Sequence, residues 1–324
     1  MTATTPTPTA SAPTSTANAA RQMTPLAWAL LITLSILWGG SFFFTKIAVA
    51  EIGPMEIVFL RIVFAAVTLH VVLRLRGLAF PLTWSGFAPF LVMGAINNVV
   101  PFTLLTWGQT QIASGLASIL NAFTPISTVI ILHLFTTTDR ATPMKAVGVV
   151  LGFCGVAVMI GTAAITGVGD HVLAELACLG ATVSYGASAL YGRRFMGTPA
   201  LVTAAGQLTG SSVILLPIVL LTGGLSDLAT NWPSGEVVIA MTGLAFLSTA
   251  LAYILFFRIL SVAGPANVML VTFLVPVSAI LAGVLVLGEV LQPRHWAGIM
   301  LIAAALVTID GRLPRRLARL VRYR

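Results

Sequence analysis

Apolar residues run almost end to end in this chain, and the interruptions are short. Ten apolar stretches lie near 26–49, 54–73, 87–106, 112–135, 144–164, 172–192, 200–222, 237–257, 265–287 and 295–311, separated by polar or Gly- and Pro-bearing turns. A hydrocarbon core of about 30 Å takes about 20 helical residues to cross. The pattern therefore predicts an all-α integral membrane protein with ten transmembrane helices. The first stretch is followed by Ala48, Val49 and Ala50, which look like a cleavage site. A signal h-region is only about 7 to 15 residues long, however, and Leu26 to Phe44 exceeds that, with nine more stretches following.

Composition agrees. Of the 324 residues, 58% are hydrophobic and 8% charged, and mean hydropathy is +1.02. An ordinary soluble domain carries about 25% charged residues, so no soluble surface can be built here. The net charge is +8, which raises the question of nucleic acid. Six of the seventeen Lys and Arg residues fall between Arg312 and Arg324, so residues 312–324 read instead as a basic cytoplasmic tail against anionic lipid headgroups. Residues 1–25 open with twenty Thr-, Ala-, Pro- and Ser-rich positions without charge, a composition that cannot bury a core and predicts a disordered cytoplasmic tail. Cys154 and Cys178 are too few for a disulfide framework or a cysteine metal site, and the four histidines are scattered.

The loops carry sidedness. One alternating set of loops and tails holds Arg21, Arg74, Arg76, Arg140, Lys145, Arg193, Arg194, Arg258 and the six tail arginines, fourteen of the seventeen basic residues. The other set holds Arg294 with Glu51, Asp170, Asp227, Glu236 and Glu289. Gaining or losing one span would scramble this division. The positive-inside rule then predicts both termini in the cytoplasm.

The chain also repeats. Trp38-Gly39-Gly40-Ser41 with Lys46 aligns, 147 residues on, with Tyr185-Gly186-Ala187-Ser188 and Arg193. Asp139, Pro143, Gly148 and Leu151 align, 150 residues on, with Glu289, Pro293, Gly298 and Leu301. The repeats are placed at 26–164 and 172–311, five helices each. Five is odd, so the second copy enters the membrane from the opposite side. Inverted repeats suit secondary transporters, because two near-equivalent halves give two near-equal conformations, one open to each side.

The Trp38-Gly39-Gly40-Ser41-Phe42 opening with Lys46, Pro54 followed by Arg61, Ala113-Ser114-Gly115 leading to Pro125, and Ala263-Gly264 leading to Pro276 and Gly288-Glu289 resemble the ten-span EamA-type carriers of the drug/metabolite transporter superfamily. The resemblance covers about residues 26 to 310. It implies an inner-membrane carrier, often an exporter of amino acids, related metabolites or drugs. Thr138-Asp139 departs from the Gly-Glu that the second half keeps at Gly288-Glu289.

Candidate site residues are the polar groups inside spans, which usually face a cavity or a partner. Lys46 and Arg61 sit in one hairpin with Glu56 nearby. Two readings are open: a cationic site for a substrate carboxylate or phosphate, or a snorkelling Lys46 beside an Arg61–Glu56 pair. Asn97 and Asn98 precede Pro101, and Asn121 precedes Pro125; each proline frees a carbonyl that an amide or a substrate can use. Tyr185, Gln207, Tyr253 and Asn267 are second-half counterparts, while Trp38, Ser41 and Phe42 offer an aromatic wall or plain packing. Glu56 is taken as the only acid inside a span near the cavity, hence the candidate for proton coupling, with Asp310 at the far end of the last span. The sequence shows no His-Glu-x-x-His, Gly-x-Ser-x-Gly, Walker or EF-hand pattern. The expectation is a carrier of a small molecule, with no catalytic residue, metal or cofactor. The competing readings are an enzyme acting on lipid headgroups within the membrane and a non-transporting membrane subunit.

Overall fold

A computed structural model describes residues 24–81, 83–137, 140–160 and 170–310. The tail 312–324, residues 1–23 and the pair Thr138-Asp139 fall outside the described residues, as does the side chain of Asp310.

Among the described residues the apolar stretches fold as ten helical rods. They are α1 (Pro25–Ala48), α2 (Pro54–Leu75), α3 (Trp84–Gln111), α4 (Ser114–Phe135), α5 (Pro143–Ile160), α6 (Asp170–Tyr191), α7 (Ala200–Leu221), α8 (Gly235–Ala263), α9 (Val271–Leu287) and α10 (Pro293–Asp310). A single turn, Pro265–Val268, precedes α9, and Ala122 and Phe123 interrupt α4 just before Pro125. Among the described residues seven rods have the length and hydropathy of a full span, and three apolar helices are shorter: Pro143–Met159, Val271–Leu287 and Pro293–Ile309. The outer faces stay apolar: Trp28, Ile32 and Ile36 of α1 are exposed, one turn apart, while Leu31 and Leu34 are buried. Only lipid makes such a face favourable. Together these features make an all-α membrane protein.

Packing is reciprocal. α1 packs on α9, as α6 packs on α4; α1 packs on α8, as α6 packs on α3; α2 packs on α8, as α7 packs on α3. α2 packs on α7, and α5 on α10. Each statement becomes its partner, or itself, when helix n is exchanged for helix n+5, as a pseudo-twofold axis requires.

Side chains obey the same exchange. Ser278 Oγ on α9 donates to Ser35 O on α1 (2.6 Å), and Ser127 on α4 shares a 2.7 Å hydrogen bond with Thr182 on α6. Gly39 and Gly186 make both approaches possible. A Cβ on Gly39 would lie 2.8 Å from Ala279 N, and one on Gly186 would lie 3.2 Å from Ser127 O. Small residues at these crossings let backbones meet, the usual way helices associate in lipid.

Candidate functional site

Midway along α3 and α8 the helices widen. Residues 95–99 and 243–251 wind as π-helix, again in equivalent positions of the two halves. Single π turns in α-helices occur often at functional sites. In α3 the cause is Pro101, which has no N–H to give back to the preceding turn. Val100 N–H reaches back to Ala95 O, and the Ile96 carbonyl accepts instead from Ser184 Oγ of α6, at 2.6 Å.

A polar network surrounds this widening, and almost all of it crosses between the halves. Asn97 Nδ2 donates to Gln207 Oε1 (2.9 Å) and lies 3.4 Å from the Tyr253 hydroxyl, while Ser188 Oγ donates to Asn97 Oδ1 (2.8 Å). Asn98 Nδ2 donates to Ser211 Oγ (3.1 Å), and the Tyr253 hydroxyl donates to Asn98 Oδ1 (3.0 Å). Ser211 Oγ also contacts Gly94 O at 3.1 Å. Interhelical hydrogen bonds in membranes are worth about 0.6 kcal/mol on average. The network is therefore weak glue, and exchanging its partners one by one is cheap.

Arg61 of α2 lies beside it, 8% exposed. Its Nε donates to Thr249 Oγ1 at 2.8 Å, and its guanidinium carbon sits 4.0 Å from the Phe102 ring centroid. Thr249 in turn donates to Leu244 O, five residues back, and so fixes the π turn of α8. Tyr185 and Tyr253 are within electrostatic reach of the guanidinium. A charge at the centre of a span costs about 2.5–3.5 kcal/mol. The Phe102 contact returns about 0.5–2 kcal/mol and the charged hydrogen bond about 1.5–3 kcal/mol, so the cation is held near balance. Arg61 is not paired with Glu56: that carboxylate lies against Gly53 and Gly224 at the start of α2.

Toward the end of the bundle that carries the acidic loops, the contacts change character. Lys46 Nζ donates to Gln109 O (2.9 Å) and Ile112 O (3.0 Å), which are carbonyls at the C-terminal end of α3. Glu289 accepts from Ser114 N (2.6 Å) and Gly115 N (3.0 Å), the first amides of α4. Each charge meets the helix end of opposite partial charge. Gly288 makes the turn that delivers Glu289, in left-handed backbone at φ 65°. Glu51 Oε2 accepts from Ser234 N (2.7 Å), tying the α1–α2 turn to the start of α8. That bond holds its carboxyl below the usual carboxylate range.

The structure thus brings together Arg61, Asn97, Asn98, Tyr185, Gln207 and Tyr253. The other sequence candidates lie elsewhere. Trp38 packs on Phe256 (5.6 Å), and Phe42 is buried in the larger apolar cluster. Ser41 is buried on α1, Lys46 is a helix-end ligand, and Asn267 donates to Ala263 O. Asn121 keeps a buried Oδ1 with no hydrogen bond. Glu56 stands outside the network. A second acid inside a span, Glu175 on α6, is buried near Arg294 and His171. Sequence reasoning overlooked Glu175, although its place inside the stretch 172–192 was readable. It also missed Thr249, Ser188, Ser211 and Phe102, whose types are unremarkable in a helix. The π turns left only the Pro101 signal. Two cavities, of about 680 Å³ by Phe80, Phe90 and Arg194 and about 430 Å³ by Phe43, Phe44 and Glu236, flank the network at opposite ends without including it.

Inverted five-helix halves meeting at a mid-depth polar network define the membrane transporter class. The EamA-like transporter family model matches residues 26–161 and again 172–309, and the chain belongs to that family. It is 29% identical over 289 residues to the transporter YvbV of Bacillus subtilis (strain 168), covering 87% of this chain and 90% of that one. It is 25% identical over 295 residues to the inner membrane transporter YedA of Escherichia coli (strain K12), covering 89% and 92%. A solved crystal structure, 17% identical, superposes with a TM-score of 0.62 over 88% of this chain and 96% of that one, a likeness of fold.

Proposed function

We propose that this protein is a secondary carrier that exports a small metabolite by alternating access, acting as a transporter and not as an enzyme. The observation that carries this reading is the reciprocal packing of two inverted halves whose π-wound third and eighth helices meet at one polar network. Two halves related in this way can rock about a fixed central site, and weak hydrogen bonds can be exchanged between the two end states.

The loop charges support a cytoplasmic location for both termini, with Arg74, Arg76, Arg140, Lys145, Arg193 and Arg194 on the inner face. The similarity to YedA supports the inner membrane. The test is export profiling: medium metabolites and compound resistance are compared between cells overproducing the protein and an empty-vector control, followed by flux in proteoliposomes. Export of at least one compound class is expected, and no accumulation across a broad metabolite panel would sink the proposal.

A further inference from the structure

Under exchange of the halves, α2 against α8 corresponds to α7 against α3. Two side-chain contacts occupy the equivalent places: Arg61 with Thr249 at 2.8 Å, and Gln207 with Asn97 at 2.9 Å. One turn further on the two places differ: Phe102 of α3 roofs the Arg61 guanidinium, and Tyr253 of α8 bonds to Asn98 across the halves. A neutral amide therefore suffices to join the helices at this depth in one half. In the other half a full charge does the same joining, so the charge itself is surplus to it.

The surplus is unspent. A guanidinium has five N–H donors, and Nε alone is hydrogen-bonded to protein, although the side chain is more than nine-tenths buried. Among the described residues no carboxylate pairs with it. α3 and α7 carry no acid at all, and Glu56, Glu175 and Glu236 all lie in the first turns of their helices, at the acidic-loop ends. With Nε taken, the two terminal nitrogens are left as an end-on pair, the geometry that accepts both oxygens of a carboxylate.

Resting on the carrier reading, we propose that Arg61 is the anion subsite of the central network and that the cargo is a small organic monoanion. Its carboxylate spans the terminal nitrogens of Arg61, and its remainder faces Tyr185 and Tyr253. An ammonium group finds no acid here and meets a like charge, so cations are rejected and zwitterions bind less well than the matching carboxylate.

The test uses purified protein in nanodiscs and equilibrium binding of probes differing only in charge: 3-phenylpropionate, phenylalanine and phenethylamine, with 4-methylpentanoate as a non-aromatic carboxylate. The carboxylates are expected to bind best and phenethylamine not at all. Arg61→Gln, which reproduces the amide of the other half, should weaken carboxylate binding about tenfold or more. Arg61→Lys should fall between, because it keeps the charge and loses the fork. Equal binding of carboxylate and amine, or no carboxylate binding tighter to the parent than to Arg61→Gln, overturns the proposal. If Arg61→Gln does not fold, the probe order on the parent protein decides. Carboxylate binding without flux of any compound would sink the carrier reading and leave the subsite; flux of some compound without carboxylate preference would do the reverse.

Discussion

The two halves are stitched together at two depths by different chemistry. Near the acidic-loop ends the stitches are charges on helix termini, Glu289 on the first amides of α4 and Glu51 on Ser234, and within the first half Lys46 holds the last carbonyls of α3 in the same way. At mid-depth they are amides and hydroxyls, with Arg61 the one cation among them. A charge on a helix end loses much when it lets go, because the backbone groups it serves have no other partner there. An amide that lets go of one hydroxyl finds another. The contrast separates residues that hold the bundle from residues that can rearrange around a cargo.

Substitutions should therefore divide stability from transport. Glu289→Ala leaves two backbone amides without an acceptor and should lower unfolding stability by about 2–4 kcal/mol, read by thermal unfolding in detergent, with Glu289→Gln recovering part of the loss. Parental stability in the alanine variant would mean that the helix end is satisfied some other way. Lys46→Met should cost about 1–2 kcal/mol and leave flux of the exported compound within about twofold; a flux collapse with stability intact would move Lys46 into the site.

Asn98→Ala inverts that pattern. It should change stability by under about 1 kcal/mol while flux falls several-fold, and unchanged flux would break the contrast between the two depths. Glu51→Gln is the smallest. The native bond lowers the Glu51 pKa from its ordinary 4.5. Its contribution is thus present above the unfolded-state value and lost as pH falls through the lowered one. The parent should lose a small increment of stability on acidification that the variant lacks, and parallel pH profiles would remove the effect.

Much of this was readable beforehand. Ten spans, their order and the duplication follow from apolar runs and from aligned turn residues such as Pro143 and Pro293, since lipid leaves the backbone little choice but helix. Half of the candidate site was also readable, because Asn97, Asn98, Gln207 and Arg61 are expensive where they stand. The other half was not. Thr249, Ser188 and Ser211 commonly satisfy themselves within a helix, and Thr249 and Ser211 do bond their own turns; only the neighbouring helix reveals their second role.

Sequence by itself determined the class, a duplicated all-α membrane protein, because hydropathy and length act locally along the chain and are conserved under any packing. Tertiary structure decided which polar residues belong together. Lys46 and Arg61 look alike in sequence, two cations in one hairpin, yet one is spent on carbonyls of α3 and the other stands with four N–H groups free of protein partners beside Phe102. The reason is geometric: the meeting of the two halves sets α2 against α8, the packing inside the first half sets the end of α1 beside the end of α3, and no local pattern encodes either contact.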